Sequence, residues 1–290
     1  MPPRSAASAT GRVCSVPSYK ARAVVLKKTK LKEKDLILTM LSDTGEQIRA
    51  VAKGAQKPGG SFAARLEVFS VVDLMLYTGK SLDTITDART VETNEACRSD
   101  ITRLSYGAVM AELVEKTALE GQEMPVAFPL TCTALGSLGR VGEETLPFVA
   151  SAFLIKLLAY QGFKPSFDDC THCGRVRADD SAGSGIFSIS AGGWVCGECA
   201  QASGLAPDEM LSDQVVSWAR SLMSMRFSQI EELFVQGAVE GEAAIDGGPA
   251  GTTAALGALG GGLLSFCERW IGVHLGLRMK TMSYLSRLHI

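Results

Sequence analysis

The sequence predicts an α+β protein, a small β-barrel followed by a larger helical part that carries an inserted cysteine module. Three observations lead there. Short alternating or apolar segments bounded by turn residues fill 19–93. Longer segments with helical spacing fill most of 94–290. Four of the eight cysteines stand as two CxxC pairs within 168–200. With 290 residues, 46% hydrophobic and 21% charged, the chain has ordinary globular composition. That excludes wholesale disorder and collagen-like repetition, and the length suits two domains or more. No apolar run reaches the roughly 18–20 residues of a membrane span.

The first 18 residues, MPPRSAASATGRVCSVPS, mix Pro, Ser, Ala and Arg without an apolar core. They read as a disordered tail, or as sequence upstream of the true start, and not as a secretory signal, so the expected compartment is the cytoplasm. Tyr19–Lys27 then alternates and is rich in β-branched residues, and Asp35–Ser42 is a compact apolar run. Asp43-Thr44-Gly45 supplies a turn. Gln47–Lys53 alternates again, with Arg49 and Lys53 on one face and Ile48 and Val51 expected towards the interior. Leu66–Tyr77 is expected as the longest strand, with Phe69 in its middle as a core residue, and Leu82–Val91 follows. Five short strands in about 75 residues fit a small closed barrel, for which the OB-fold is the commonest form; an SH3-like barrel has similar patterning.

Charge is divided unevenly. The whole chain has 29 basic and 31 acidic side chains, a net −2, which on its face argues against a nucleic-acid partner. Yet fourteen Lys and Arg precede Ser81 against six acids, so the barrel part carries +8 and the remainder −10. Such asymmetry points to an electrostatic partner. The cations concentrate in Lys27–Lys34 and in the Gly-rich segment from Lys53 to Gly60. Mobile cationic loops beside a barrel face suit a phosphate backbone because they need no base sequence. Aromatics able to stack on bases are few: Tyr19, Phe62, Phe69 and Tyr77. Phe62, beside the Gly-rich loop, is the preferred stacking candidate.

Ser99–Gln122 has helical spacing, with Ser99 or Asp100 placed to cap it. Glu143–Gln161 is apolar on nearly every side and should be the central buried helix, with Pro147 in its first turn and Gly162 ending it. Asp208–Met225 and Leu263–Leu275 are further helices. Between them, 237–262 is about one third Gly with almost no large side chains, and reads as a flexible insertion with helical edges.

The cysteine pairs are Cys170-Thr-His-Cys173 and Cys196-Gly-Glu-Cys199, 22 residues apart. Two such knuckles present four thiolates to one tetrahedral ion, and zinc is the expected metal. Four protein ligands close the coordination sphere, so the ion is expected to be structural. Ile186–Ile189 and Trp194-Val195 form an expected hairpin between the knuckles. His172 reads as solvent-facing, His274 and His289 as structural, and Cys97, Cys132 and Cys267 as small buried residues. GxxxxGK[ST], HExxH and GxSxG are absent, and the acid pairs are adjacent residues that point apart, so the chain is not expected to be an enzyme.

Several stretches together resemble the bacterial RecO recombination-mediator family. They are YKARAVVL with EKDLILTMLSDTGE, then VAKGAQKPGG, LEVFSVVDLMLY, FLIKLLAYQGFKPSFDDCTHCG, GGWVCGEC and GLRMKTMSYL. The resemblance spans Tyr19 to Leu288 apart from the Gly-rich insertion. It implies an OB-fold plus helical domain that binds single- and double-stranded DNA and anneals complementary strands. It also implies work with a RecR partner and single-strand-binding protein in loading recombinase, in the cytoplasm at the nucleoid and without catalytic turnover. By position it makes Lys20, Arg22, Lys27, Lys28, Lys30, Lys53, Lys57 and Arg65 the DNA-contacting candidates, and Cys170, Cys173, Cys196 and Cys199 the zinc ligands. One departure is Gln56, where many members place another basic residue. The rival from a different class is a zinc-ribbon scaffold whose basic barrel binds an acidic protein tail.

Overall fold

A computed structural model describes residues 18–31, 33–56, 62, 64–177, 185–206, 211–240 and 253–285. Residues 1–17 of the expected N-terminal tail, Lys57 and His289 lie outside the described residues, while Ser18 already belongs to the first strand.

Five strands, β1 (Ser18–Lys30), β2 (Leu36–Ser42), β3 (Gln47–Ala52), β4 (Val71–Tyr77) and β5 (Asp83–Glu92), close into a barrel in the order β1-β2-β3-β5-β4. All pairings are antiparallel except β3 with β5. That order and the single parallel pairing are the topology of a five-stranded Greek-key barrel of the OB type. β1 serves two neighbours: its first half pairs with β4 and its second with β2. A bulge between Val25 and Lys27 accompanies the change of partner. Alternation fills the interior with Ala23, Val25, Leu38, Met40, Ile48, Ala50, Leu74 and Leu76.

Two strand expectations are corrected. β4 begins at Val71, five residues later than the apolar pattern suggests. Phe69, at φ 69°, turns the chain there, and its N–H bonds to Val25 O at 2.7 Å. It is a core residue, as expected, but a turn residue rather than a strand residue. Val51 does not face the interior. It shares the outer face with Arg49, while Ile48, Ala50 and Ala52 point inward.

The helical body comprises α1 (Ile101–Thr117), α2 (Ala127–Arg140), α3 (Leu146–Tyr160), α4 (Gly197–Ser203), α5 (Asp213–Ser224), α6 (Phe227–Glu240), α7 (Thr253–Leu275) and α8 (Lys280–Leu285), with the β6–β7 hairpin (Gly185–Ser188, Gly193–Cys196) before α4. Asp100 caps α1 by accepting from Arg103 N–H at 2.7 Å. α3 is buried almost throughout and packs against α1, α2, α5 and α7, with Phe148 against Trp218 and Phe234 at ring-centroid distances of 5.1 and 4.7 Å. α7 starts at Thr253 rather than Leu263, so the helical edge expected of the Gly-rich insertion covers 253–262, and 241–252 lie outside the described residues. A Cβ on Gly260 would come 2.6 Å from Pro147 Cγ, and one on Gly262 2.7 Å from Val215 Cγ2. The glycines there let α7 approach α3 and α5 closely, so the missing side chains serve packing instead of freedom.

Two joints tie the ends of the chain to this body. Glu112, buried on α1, accepts the N–H groups of Lys280 and Thr281 at 2.9 and 2.8 Å, and the Thr281 hydroxyl. One carboxylate thus satisfies the open N-terminus of α8. The β2–β3 turn seats on the α1–α2 loop. Gln47 Nε2 donates to Glu115 O at 2.7 Å, Met124 N–H to Thr44 O at 3.1 Å, and Lys27 pairs with Glu115 at 2.6 Å. Val24, Leu26, Leu41, Phe69 and Val71 of the barrel belong to the same apolar core as the helices.

Gly45 at φ +87° sits in this second joint, where a Cβ would lie 2.0 Å from Met124 O. Gly45→Ala is therefore expected to cost about 2 kcal/mol or more through strain and forced separation. Chemical denaturation of the purified variant measures it, and a change below about 0.5 kcal/mol would mean that the joint is loose.

Candidate metal centre and nucleic-acid interface

Residues 167–177 and 185–206 build a small module on the flank of the body. Cys170 and Cys173 lie on a tight turn closed by Gly174 N–H to Cys170 O at 2.8 Å, with Gly174 at φ +71°. Cys196 ends β7, and Cys199 is in the first turn of α4. The β6–β7 hairpin is the one that the sequence suggests. Arg175 on the first knuckle holds Glu198 on the second through two bonds of 3.0 and 2.9 Å.

The four sulfurs all lie within 4.8 Å of one another, and Cys173 and Cys196 are 3.8 Å apart. A tetrahedral ion with metal–sulfur bonds of about 2.3 Å requires sulfur–sulfur edges of about 3.8 Å. The donor set therefore fits a thiophilic divalent cation. The close approach of the sulfurs splits their acidity. Burial opposes ionisation of Cys170, yet N–H groups from Cys196, Cys173 and His172 draw it down to about 6. Cys199 is driven the other way, to about 12, by hydrogen bonds with Cys196 and Cys173 and by burial. Sulfurs this close cannot all be anionic without a cation between them.

The module is anchored by its hairpin. Phe187 stacks on Phe167 at 5.4 Å and meets Phe266 and Trp270 of α7 at 5.9 and 6.3 Å. His274 lies against Trp270 and bonds Ile189 O at 2.9 Å, which makes it structural. His172 is exposed, with its Nδ1 3.2 Å from Ser203 Oγ. Cys97 and Cys267 are fully buried and Cys132 is half-buried. Burial raises the thiols of Cys132 and Cys267 to about 12, so they are inert at neutral pH.

The barrel cations separate into groups. Lys30 is exposed at the end of β1 and Lys53 in the turn after β3. That turn is fixed to the β1–β2 loop by Gln56 N–H to Lys34 O at 3.1 Å and Gly54 N–H to Asp35 Oδ1 at 2.8 Å. Lys30, Lys34 and Lys53 thus share one end of the barrel, with exposed Arg49 two residues before Val51 on β3. None of these four makes an ion pair with a described residue.

Lys20, Arg22 and Arg65 border a different surface, on β1, β4 and β5. There Arg22 and Asp73 are register partners joined at 2.7 and 3.2 Å, and Lys20, Asp43, Asp87 and Arg89 complete a groove of mixed charge. Arg65 donates to Ala88 O at 3.1 Å and lies 4.0 Å from Asp87. Lys27 and Lys28 are paired with Glu115 and Glu67 at 2.6 and 2.8 Å. Phe62 packs against the barrel core, whereas Tyr77 is 44% exposed. Arg49 and Lys34, both exposed, are not among the contact candidates that the resemblance gives, although the alternation Arg49-Ala50-Val51-Ala52-Lys53 puts Arg49 on the same face as Lys53.

The family described as Recombination protein O, C terminal, matches residues 98–243, and Recombination protein O, N terminal, matches 16–94. These matches put the protein in the class of DNA repair and recombination proteins. It belongs to the RecO family. It is 36% identical over 183 residues to the DNA repair protein RecO of Nocardioides sp., covering 62% of this chain and 74% of that protein. It is 32% identical over 214 residues to that of Streptomyces griseus, covering 71% and 82%. With that of Frankia casuarinae it shares 36% over 187 residues, covering 63% and 74%. Among the described residues no helix is long and apolar enough to cross a membrane.

Proposed function

We propose that this chain is a recombination mediator that binds single- and double-stranded DNA and anneals complementary strands. In this reading it works with a RecR partner and single-strand-binding protein to load recombinase, and it turns over no substrate. The observation that carries the reading is the group Lys30, Lys34 and Lys53, exposed at one end of a closed OB-type barrel, with Arg49 exposed further along β3.

Two strands approaching each other repel through their phosphates. Cations that contact both lower that repulsion and raise the encounter rate, and they read no sequence. Fixing Lys53 to the β1–β2 loop concentrates the charge where one strand can meet several cations at once. The cysteine cluster holds zinc in this reading, and zinc with four thiolates has no open position for catalysis. Its role is to tie the two knuckles together and so hold the hairpin against α7.

Annealing of complementary oligonucleotides coated with single-strand-binding protein, run against salt, tests this. Four phosphate contacts to a single strand give a slope of log affinity on log salt of about −2.8, a loss of about 50-fold between 50 and 200 mM. A single-strand affinity that stays flat over that range would remove the charge argument. An acidic peptide that binds the barrel where DNA does not would replace it with a protein-scaffold role.

A further inference from the structure

The central helix α3 is apolar along nearly all of its length and carries one charged side chain, Lys156. Lys156 is half-buried, and its Nζ donates to Met223 O at 2.7 Å. It makes no ion pair with a described residue. Burial without a counter-charge disfavours the ammonium form and draws the Lys156 pKa down to about 8. A lysine in that position keeps a reactive lone pair at neutral pH, where an ordinary surface lysine is protonated.

This amine is reachable. Lys156 lines an open cavity of about 810 Å³ between α2, α3 and the turn from α5 to α6. Leu130, Met225 and Phe227 give the cavity an apolar wall. Its one lining carboxylate, Glu231, is held by Arg140 through bonds of 2.6 and 3.1 Å. Exposed Lys164 and Arg226 complete the lining cations, and neither makes an ion pair with a described residue. A nucleophilic amine beside an apolar wall and two cations suits a small electrophile with a short apolar group and an anionic leaving group. Acyl phosphates have that chemistry.

We propose that Lys156 is an acylation site whose donor is an acyl phosphate, held through its phosphate by Lys164 and Arg226. The uncharged Nζ attacks the carbonyl carbon, a C–N bond forms, and the bond from that carbon to the phosphate oxygen breaks. Inorganic phosphate leaves with the electron pair, and the amine gives a proton to water. The product amide is neutral, so the cavity falls from four lining cations to three. Any anion that binds there is then held less tightly.

The test incubates the full chain with acetyl phosphate from about pH 6 to about pH 10 and follows each lysine by peptide mass spectrometry. At neutral pH Lys156 is expected to acetylate about ten-fold faster than exposed Lys34 and Lys53, and its rate should level off above about pH 8. Lys164→Ala combined with Arg226→Ala should slow the reaction at Lys156 about five-fold. The same double variant should react with an uncharged acetylating ester as the parent does. Lys156→Arg should lose the fast site, and thermal unfolding checks that each variant is folded. Labelling of Lys156 no faster than that of Lys34 and Lys53, or a double variant as fast as the parent, would overturn the site.

Discussion

Cys170→Ser is expected to abolish metal binding by the cysteine module and to lower the unfolding temperature by on the order of 10 °C. Cys170 is, with Cys196, one of the two buried cysteines of the cluster, and its sulfur also accepts Cys196 N–H at 3.4 Å, so its loss removes a ligand and a contact between the knuckles. Structural zinc in small domains contributes roughly 10–16 kcal/mol, and without it such modules unfold. Here an unfolded module would withdraw Phe187 from Phe167, Phe266 and Trp270. Loss of one large aromatic from a core costs about 3–5 kcal/mol, and each kcal/mol shifts a domain of this size by about 2–4 °C. Elemental analysis should give about one zinc per parent chain and none in the variant. DNA binding by the barrel should remain largely intact, since its cations lie on another unit of the fold. An equal loss of DNA affinity would mean that the module touches DNA. A variant with unchanged metal content and melting would exclude the four-sulfur site.

Glu112→Ala should be the most damaging single change in the helical body outside the module, costing about 3 kcal/mol or more. It leaves two backbone N–H groups and a hydroxyl without their acceptor at a half-buried helix start. Burial works against the Glu112 carboxylate, but bonds from Thr281 and Lys280 and the charge of Lys116 outweigh it, so its pKa lies below the ordinary value. A carboxylate lowered in the folded state stabilises fully above its unfolded pKa, near 4.3, and loses that contribution as pH falls through the folded value. The stability gap between the parent and Glu112→Gln should therefore be constant at neutral pH and narrow in acid. Denaturation curves at pH 7 and pH 4 measure it, and a gap that widens in acid would contradict the assignment.

The local features of this chain were legible because their causes are local. CxxC spacing, the Asp100 cap, the apolar run of α3 and the turn at Gly45 each depend on residues a few positions apart. Long-range causes were not legible. Nothing near Lys27 reveals that Glu115, 88 residues on, takes its charge, or that Arg22 faces Asp73 across two strands. These pairings make the count of cations in 1–80 a poor guide to which of them are free. Phe69 looks like a strand residue by composition, yet the chain turns at it. The Gly-rich half of α7 looks like a linker because composition records the missing side chains and not the neighbours, Pro147 and Val215, that take up the room.

The seat of the β2–β3 turn on the α1–α2 loop has a mechanical consequence. With Gly45 pressed on a carbonyl and the apolar core running from barrel to helices, the two parts share no swivel. A partner that grips the helical body therefore sets the orientation of the barrel as well. Whatever strand lies on that barrel is presented at an angle fixed by the fold, as a tool is by its handle.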